Sequence, residues 1–278
     1  MSYPTILVHV DQSVHAAARM RYAASLARAH GACLIGAAMF GVSHDVFPHG
    51  YDILPDTLAA SLFQPLADNA RRALERFETI AREMQVQFES RFLCDAADGG
   101  LMLQGRFADL LVVSQDDPDE SLRVMGTRLP DALILNCARP VLVVPRSDPA
   151  PYHNPHILLA WDGSKEASSA LCASIPLLRR AGAVTIAALT GPGLTEDEFK
   201  GEQADLLGFL ARHHVSPRVV IRKVLHDSGR ELLALADELG CGLLVMGCYG
   251  HSRFRELCLG GASRTVLAEA GIPLLLAH

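Results

Sequence analysis

The sequence contains the same segment twice, and this repeat constrains the fold more than any other feature. The segment ILVHVDQS at residues 6–13 aligns with ILLAWDGS at residues 157–164, an offset of 151 residues. In both segments an Asp and a Ser follow an apolar run. Farther along, DLLVVS at residues 109–114 aligns with GLLVMG at residues 242–247, an offset of 133 residues. Self-similarity over this length predicts two copies of one structural unit.

The change of offset locates an insertion in the first copy. VQFESRFL at residues 86–93 aligns with RVVIRKVL at residues 218–225, an offset of 132, so the first copy carries 151 − 132 = 19 extra residues between positions 41 and 85. We expect this insertion to lengthen a helix and its lead-in loop. The repeat predicts two domains, at residues 1–147 and 153–278, joined by a linker rich in Pro and polar residues.

Apolar runs alternate with helical segments in the second copy. Runs at 157–161 and 183–189 flank a stretch whose apolar residues recur at helical spacing. A capping box, Ser228-x-x-Glu231, predicts the start of a later helix, and a final helix is expected near residues 262–270. Continuous apolar strands separated by helices are typical of parallel sheets covered on both faces. The sequence therefore predicts an α/β fold of two tandem five-stranded parallel-sheet domains, each with four helices.

Composition excludes several classes of partner. The formal net charge of −6 and the pI near 6.0 argue against nucleic acid, which requires a basic surface. No apolar stretch approaches the roughly 18 residues of a membrane span, and no signal peptide is evident, so we expect a cytoplasmic protein without membrane contact. The seven cysteines form no Cys-x-x-Cys pair and are expected to be small buried hydrophobes. The twelve histidines include no His-Glu-x-x-His, and no metal site is predicted.

A glycine-rich loop in the second copy indicates a binding site. Gly247, Gly250, Gly260 and Gly261 lie between the fourth apolar run and the last helix, and Asp162 directly follows the first run. Glycine allows a ligand to approach the backbone closely. In open parallel sheets, ligands bind beyond the carboxyl ends of the strands, where both features are expected. The start of a helix favours an anion, so phosphate is the expected ligand group.

Other phosphate and nucleophile motifs do not fit. The chain has no Gly-x-x-x-x-Gly-Lys-Ser/Thr and no Gly-x-Gly-x-x-Gly after a first strand, which excludes a P-loop and a dinucleotide fold. The segment YGHSRF is similar to a nucleophile elbow, but Phe254 stands where Gly-x-Ser-x-Gly requires its second glycine. An α/β-hydrolase is therefore not predicted.

The spacing Gly247-x2-Gly250-x9-Gly260, with an Asp ending the first strand, resembles the ATP-binding pattern of the universal stress protein family, here as a tandem of two domains. The resemblance implies a Rossmann-like fold of the adenine-nucleotide α-hydrolase-like type that binds ATP, ADP or AMP, with or without magnesium. It also implies two domains related by a pseudo-twofold axis, so that one chain imitates a dimer, with a homodimer as a further assembly.

On the matching positions, the resemblance assigns Asp162 to the adenosine part and a backbone group of Ala188 or Leu189 to the base. Residues 260–263 would cradle the phosphates, although Gly261 stands where the family usually has Ser or Thr. The complete candidate site consists of Ala160, Trp161, Asp162, Ala188, Leu189, Met246, Gly247, Tyr249, Gly250, Gly260, Gly261, Ala262 and Ser263.

The first copy departs from this pattern. Ser114 and Asp117 stand at the positions of Gly247 and Gly250, within the segment SQDDPDES. Its four carboxylates are expected to repel a triphosphate. The sequence thus predicts one nucleotide site per chain, in the second copy.

Three functional classes remain open. The first is a nucleotide-binding stress-response or signalling module, the second is a slow ATPase or another hydrolase, and the third is an interaction scaffold that binds no nucleotide. Neither a general base, nor a metal-binding carboxylate cluster, nor an activated nucleophile is evident near the loop, which favours the first class and predicts no catalytic residues.

Overall fold

The computed structural model describes residues 2–41, 56–119, 128–190, 195–224, 227–249 and 261–278, with side chains from residue 63 onward in the second range. These residues divide into two compact units, Ser2–His153 and Asn154–His278. Each unit is an α/β fold with a five-stranded parallel sheet, as the sequence predicts.

The first unit contains five strands and four helices among its described residues. They are β1 (Thr5–Val10), α1 (Ala16–His30), β2 (Cys33–Met39), α2 (Asp56–Glu83), β3 (Phe88–Leu93), α3 (Ala97–Gly105), β4 (Leu110–Ser114), α4 (Leu129–Asn136) and β5 (Val141–Val144). The strand order is β3-β2-β1-β4-β5, and neighbouring strands are parallel.

The second unit repeats this order. Its described elements are β6 (His156–Trp161), α5 (Lys165–Leu178), β7 (Ala183–Thr190), α6 (Glu196–Arg212), β8 (Arg218–Lys223), α7 (Ser228–Glu238), β9 (Leu243–Gly247), α8 (Ala262–Glu269) and β10 (Leu274–Ala277). The parallel order is β8-β7-β6-β9-β10.

Strand burial follows the position of each strand in its sheet. The central strands β1, β4, β6 and β9 are buried over nearly their whole length, because helices cover both faces. The outer strands β3 and β8 are largely half-buried or exposed and carry charged residues. In each unit, the second and third strands lie on one side of the first strand, and the fourth and fifth strands lie on its other side. The strand order therefore switches between β1 and β4 and between β6 and β9. Ligand sites of open α/β sheets lie at such switches.

Part of the 19-residue insertion lies in α2, as predicted. This helix has 28 residues, whereas its counterpart α6 has 17. The predicted lead-in loop falls on residues 42–55, outside the described residues. Phe77 of α2 is fully buried over β2, where Gly36 leaves room for its ring.

The capping prediction for α7 is wrong. The Asp227 carboxylate caps this helix by accepting hydrogen bonds from the backbone N–H groups of Gly229 and Arg230, at 2.9 and 3.2 Å. Ser228 is the first helical residue, so the N-cap lies one position before the predicted one and Glu231 is not part of a capping box. Asp is as good a cap as Ser, and sequence alone gives no reason to prefer one neighbour over the other.

The cysteines are less buried than expected. Of those in the described part of the chain, Cys94 and Cys172 are exposed, Cys33 and Cys137 are half-buried, and all are free thiols. Cys258 lies outside the described residues. Over the same residues, no helix is long and apolar enough to cross a membrane.

A double-mutant cycle tests the contact between α2 and β2. A Cβ at Gly36 would overlap the ring of Phe77. We expect Gly36→Ala to cost about 1–3 kcal/mol of stability through overpacking, and Phe77→Ala about 3–5 kcal/mol through loss of buried area. The double variant should be more stable than the sum of the two changes predicts, because the ring that clashes is gone. Urea denaturation gives the free energy of unfolding of the wild type, the two single variants and the double variant. Strictly additive changes in this free energy would contradict the contact.

Candidate functional site

The carboxyl ends of β6 and β9 lie side by side at one edge of the second sheet. The two strands pair in register from Ile157 with Leu243 to Leu159 with Val245. Asp162 is the first residue beyond β6, and Gly247 is the last residue of β9. The switch in strand order therefore brings these two predicted site residues to the same edge.

Asp162 organises the turn between β6 and α5. Its Oδ1 atom accepts hydrogen bonds from the backbone N–H of Ser164 at 3.0 Å and from the Ser164 hydroxyl at 2.6 Å. The Ser164 hydroxyl oxygen in turn accepts a bond from the backbone N–H of Ala167 at 3.1 Å and caps α5. The Asp162 carboxylate is exposed and, among the described residues, forms no ion pair. It can therefore accept further hydrogen bonds from a ligand.

Gly247 has a packing role that the sequence did not reveal. A Cβ at this position would overlap the carbonyl carbon of Glu166 and the backbone nitrogen of Ala167, in the first turn of α5. The end of β9 thus contacts helix backbone directly, and only glycine fits. Glu166 itself is only 2% exposed, and its Oε1 lies 3.2 Å from the Nζ of Lys165. Sequence reasoning missed this carboxylate because its burial depends on the approach of β9.

The second residue after β9 is hydrogen-bonded to the first turn of α8. Tyr249 has a φ of 60°, in the left-handed region that bulky residues seldom adopt. Its backbone N–H donates to the hydroxyl of Ser263, at 3.4 Å. Ser263 is 3% exposed and belongs to the first turn of α8. Residues held in such backbone conformations concentrate at binding sites, which is consistent with a site at this edge.

Backbone hydrogen bonds define the start of α8. Gly261 occupies the N-cap position, and within the described residues no side chain caps the helix. The carbonyl of Gly261 accepts from the N–H groups of Arg264 and Thr265, at 3.0 and 3.3 Å. The predicted site residues Gly250 and Gly260 lie outside the described residues.

The remaining predicted residues lie on β6, β7 and β9. Ala160, Ala188 and Met246 are buried, whereas Trp161 and Leu189 are half-buried. Trp161 pairs with Ala188 in the register of β6 with β7. These two strand ends therefore lie beside Asp162, as the site prediction requires.

The first unit builds the same turn at the equivalent place. The Oδ1 atom of Asp11 accepts from the N–H of Ser13 at 3.0 Å and from its hydroxyl at 2.6 Å, the same distances as in the second unit. This agreement shows that the Asp-x-Ser turn belongs to the fold rather than to one copy.

A buried arginine distinguishes the first unit. Arg19 is 1% exposed and donates three hydrogen bonds: to the carbonyl of His9 at 2.8 Å, to the hydroxyl of Ser114 at 2.7 Å and to Asp11 Oδ1 at 2.8 Å. The equivalent residue of the second unit, at an offset of 151, is Ala170. The first unit thus supplies its own cation to Asp11, whereas Asp162 has no cationic partner among the residues that the structure describes.

The pKa values of Asp11 and His9 are both lowered. This change favours the charged form of the aspartate and the neutral form of the histidine. Burial alone would raise the pKa of Asp11, but the Arg19 guanidinium, with His9 and the hydrogen bond from Ser13, holds that pKa well below its usual range. Burial lowers the pKa of His9 to about 4, against a weaker opposing effect of Asp11, which lies 3.4 Å away. At neutral pH the pair of charges is therefore Asp11 and Arg19, with His9 neutral.

Two carboxylates of the first unit have partners within that unit. Asp117 Oδ2 lies 2.8 Å from His15 Nε2, and Asp116 Oδ2 lies 3.3 Å from Arg128 Nε. Both carboxylates line a cavity of about 220 Å³ together with the Arg19 network. Glu120 lies outside the described residues, and the repulsion of a triphosphate by these carboxylates stays a prediction. The buried Arg19 that lines this cavity has no counterpart in the second unit, where Ala170 stands at the equivalent position.

No metal-binding cluster accompanies either edge in the part of the chain that the structure describes, where no three His, Cys, Asp or Glu side chains are grouped to hold an ion.

Comparison with known proteins matches the second unit to a family model and both units to solved structures. Residues 153–278 match the model of the Universal stress protein family. A solved universal stress protein from Archaeoglobus fulgidus DSM 4304 is similar over 99% of this chain and 98% of that chain, with a TM-score of 0.76 and 14% identity. A functionally unknown protein from Pseudomonas aeruginosa PAO1 covers 99% and 92% of the two chains, with a TM-score of 0.63 and 16% identity. No curated protein matches the chain. Likenesses at these identities show a shared fold across both units.

The pKa of His9 gives a pH-dependent stability. The unfolded chain binds a proton at this histidine near pH 6.5, whereas the folded chain does so only near pH 4, so stability is lost as the pH falls between these values. The loss should approach about 3 kcal/mol. His9→Ala, which introduces the second unit's residue, should lose that much less stability between pH 7 and pH 4. The free energy of unfolding of both proteins is measured by urea denaturation at several pH values. If its dependence on pH is the same for the two proteins, this assignment is contradicted.

Gly247 provides a second test. We expect Gly247→Ala to cost about 1–3 kcal/mol or more, because the added methyl group meets helix backbone that cannot rotate away. Gly201→Ala is the matched control, since Gly201 lies exposed in α6 with no atom within 4 Å of its Cβ position. That change should be neutral or stabilise the protein by about 0.5–1 kcal/mol. Equal effects on the denaturation midpoint would show that α5 does not pack on Gly247.

Proposed function

We propose that the second unit, whose residues 153–278 match the model of the universal stress protein family, binds one adenine nucleotide. The ligand is ATP, ADP or AMP, with or without magnesium, and the function is a stress-response or signalling module controlled by that nucleotide. The first unit binds none.

The observation that carries the proposal is the unpaired aspartate of the second unit. Asp162 and Asp11 are held by identical turns, but Arg19 neutralises Asp11, whereas Ala170 leaves Asp162 without a cation among the described residues. A carboxylate fixed by its turn and open to solvent is a hydrogen-bond acceptor for hydroxyl or amino groups of a ligand. Adenosine offers both kinds of donor.

The groups around Asp162 suit the other parts of a nucleotide. Half-buried Leu189 offers apolar surface for a base at the end of β7, and Met246 and Gly247 at the end of β9 would lie near the ribose and phosphates. Residues 261–263 begin α8 and would hold phosphates with backbone N–H groups, where the helix dipole also favours an anion. Gly250 and Gly260, outside the described residues, complete the loop by the family pattern. The residues present therefore fit an adenine nucleotide.

In the first unit, the equivalent position already holds a buried cation. The guanidinium of Arg19 lies between Asp11 and Ser114, the residue equivalent to Gly247. A nucleotide there would have to displace three buried hydrogen bonds of a charged group, which are among the stronger bonds of a protein. One site per chain follows.

Transfer of the arginine between the units tests the proposal. Ala170→Arg places in α5 the side chain that occupies the first unit, and we expect it to pair with Asp162 and weaken ATP binding by about tenfold or more. Isothermal titration with ATP, and with GTP as the competitor base, measures affinity and stoichiometry. Ser169→Arg is the control, because its exposed neighbour position adds the same charge outside the site.

A second variant guards against misfolding of the first. Gly250→Asp introduces the first unit's Asp117 into the loop and should reduce affinity at least about a hundredfold, since a carboxylate a few ångströms from phosphate costs several kcal/mol. Two sites per chain, no binding by the wild type, or equal loss in Ser169→Arg would overturn the proposal.

A further inference from the structure

We propose that the second unit carries another small-molecule site, between α5 and α6, that binds a small aromatic compound bearing an amine. The cavity shares Trp161 with the proposed nucleotide site, but its other lining residues belong to α5 and α6, and the proposal stands whether or not a nucleotide binds. Among the described residues, three features carry the proposal: a cavity, an indole N–H without an acceptor and two carboxylates without a cationic partner.

The cavity has a volume of about 300 Å³, at the lower end of the range for ligand pockets. Its wall is mainly apolar and is formed by Trp161 at the end of β6, Leu171 of α5, and Leu206 and Phe209 of α6. Flat apolar walls of this kind, two of them aromatic, favour a ring over a charged or branched polar ligand. The volume accommodates one ring with a short side chain.

Trp161 has an unused hydrogen-bond donor. Its indole Nε1 is buried and has no acceptor within the described residues. Buried indole N–H groups normally find a partner, because desolvation without a hydrogen bond is costly. The fold does not require a tryptophan here, since the equivalent residue of the first unit is Val10, which is 1% exposed. A ligand oxygen would supply the missing acceptor.

The cavity is bordered by two acidic residues. Glu202 and Asp205 are three positions apart on α6, so they lie on one face of that helix, and both are exposed. Across the ranges that the structure describes, neither carboxylate forms an ion pair. A cationic ligand would be attracted to this rim and an anionic one repelled, as a protein of net charge −6 also favours. The expected ligand is therefore a compound with an aromatic ring, an amine and an oxygen that accepts a hydrogen bond.

Tyramine is a suitable probe because it combines these three groups. Trp161 is the single tryptophan of the chain, so its fluorescence, excited at wavelengths that tyrosine does not absorb, reports on a ligand in the cavity when the titration contains no nucleotide. With about ten non-hydrogen atoms, a ligand of ordinary efficiency binds in the millimolar range or better. We expect a saturable change in emission, confirmed by calorimetry.

Two analogues test the chemistry. 4-Hydroxyphenylacetate has the same ring with a carboxylate in place of the amine, and it should bind at least about tenfold more weakly because of the acidic rim. Phenethylamine lacks the phenol oxygen and should bind several-fold more weakly, since it leaves the indole N–H unpaired. Equal binding of the first analogue would overturn the role of the carboxylates, and equal binding of the second would overturn the role of Trp161.

Variants of α5 test the place. Ser168 lines the cavity and Ser169 does not, although both are exposed. Ser168→Phe should fill the cavity and abolish the tyramine response, whereas Ser169→Phe should leave it unchanged. The double variant Glu202→Gln with Asp205→Asn should weaken tyramine about fivefold to tenfold and remove the discrimination against 4-hydroxyphenylacetate. No saturable response in the wild type, or equal responses in the two phenylalanine variants, would overturn the site.

Discussion

The hydrogen bonds between an aspartate and the serine two residues later fix the edge on which both units depend. In the second unit, Asp162 binds the N–H and hydroxyl of Ser164, and the same hydroxyl caps α5. This turn sets where α5 begins, and the first turn of α5 then packs against the end of β9 at Gly247. One local hydrogen-bonding motif thus determines how closely two central elements approach. The first unit has the same Asp–Ser distances, so the turn is common to both units, although the N-cap of α1 is His15 and no side chain caps that helix within the described residues.

The fold was predictable because its evidence is local and repeated. Apolar runs, helical spacing and turn residues each act within a few positions, and two copies of the pattern reinforce one another. The final helix, expected near 262–270, is found at Ala262–Glu269. The error at α7 has the same local origin, since Asp227 and Ser228 are adjacent residues that both favour the N-cap position, and the tertiary position of the helix decides between them.

The site was less predictable because its features depend on contacts between distant segments. Arg19 lies in α1, whose other buried residues have mostly small side chains. The sequence alone does not show that the guanidinium of Arg19 reaches Ser114, which is 95 positions away. The one available signal was the alignment of Arg19 with Ala170, a charged residue against a buried alanine at an equivalent position. Likewise, Gly247 belongs to the predicted ligand loop, but its steric need arises from Glu166 and Ala167. A glycine in a binding motif can therefore be required by the scaffold itself.

The contrast between Arg19 and Ala170 also separates the energetics of the two units. The first unit holds its aspartate with an internal cation, so breaking that buried pair by removing the arginine would leave an uncompensated charge, a change that typically costs about 3–5 kcal/mol. The second unit has no such internal partner among its described residues, and the stability of this edge can then respond to a ligand. By mass action, a ligand present at a hundred times its dissociation constant stabilises the folded state by about 2.7 kcal/mol.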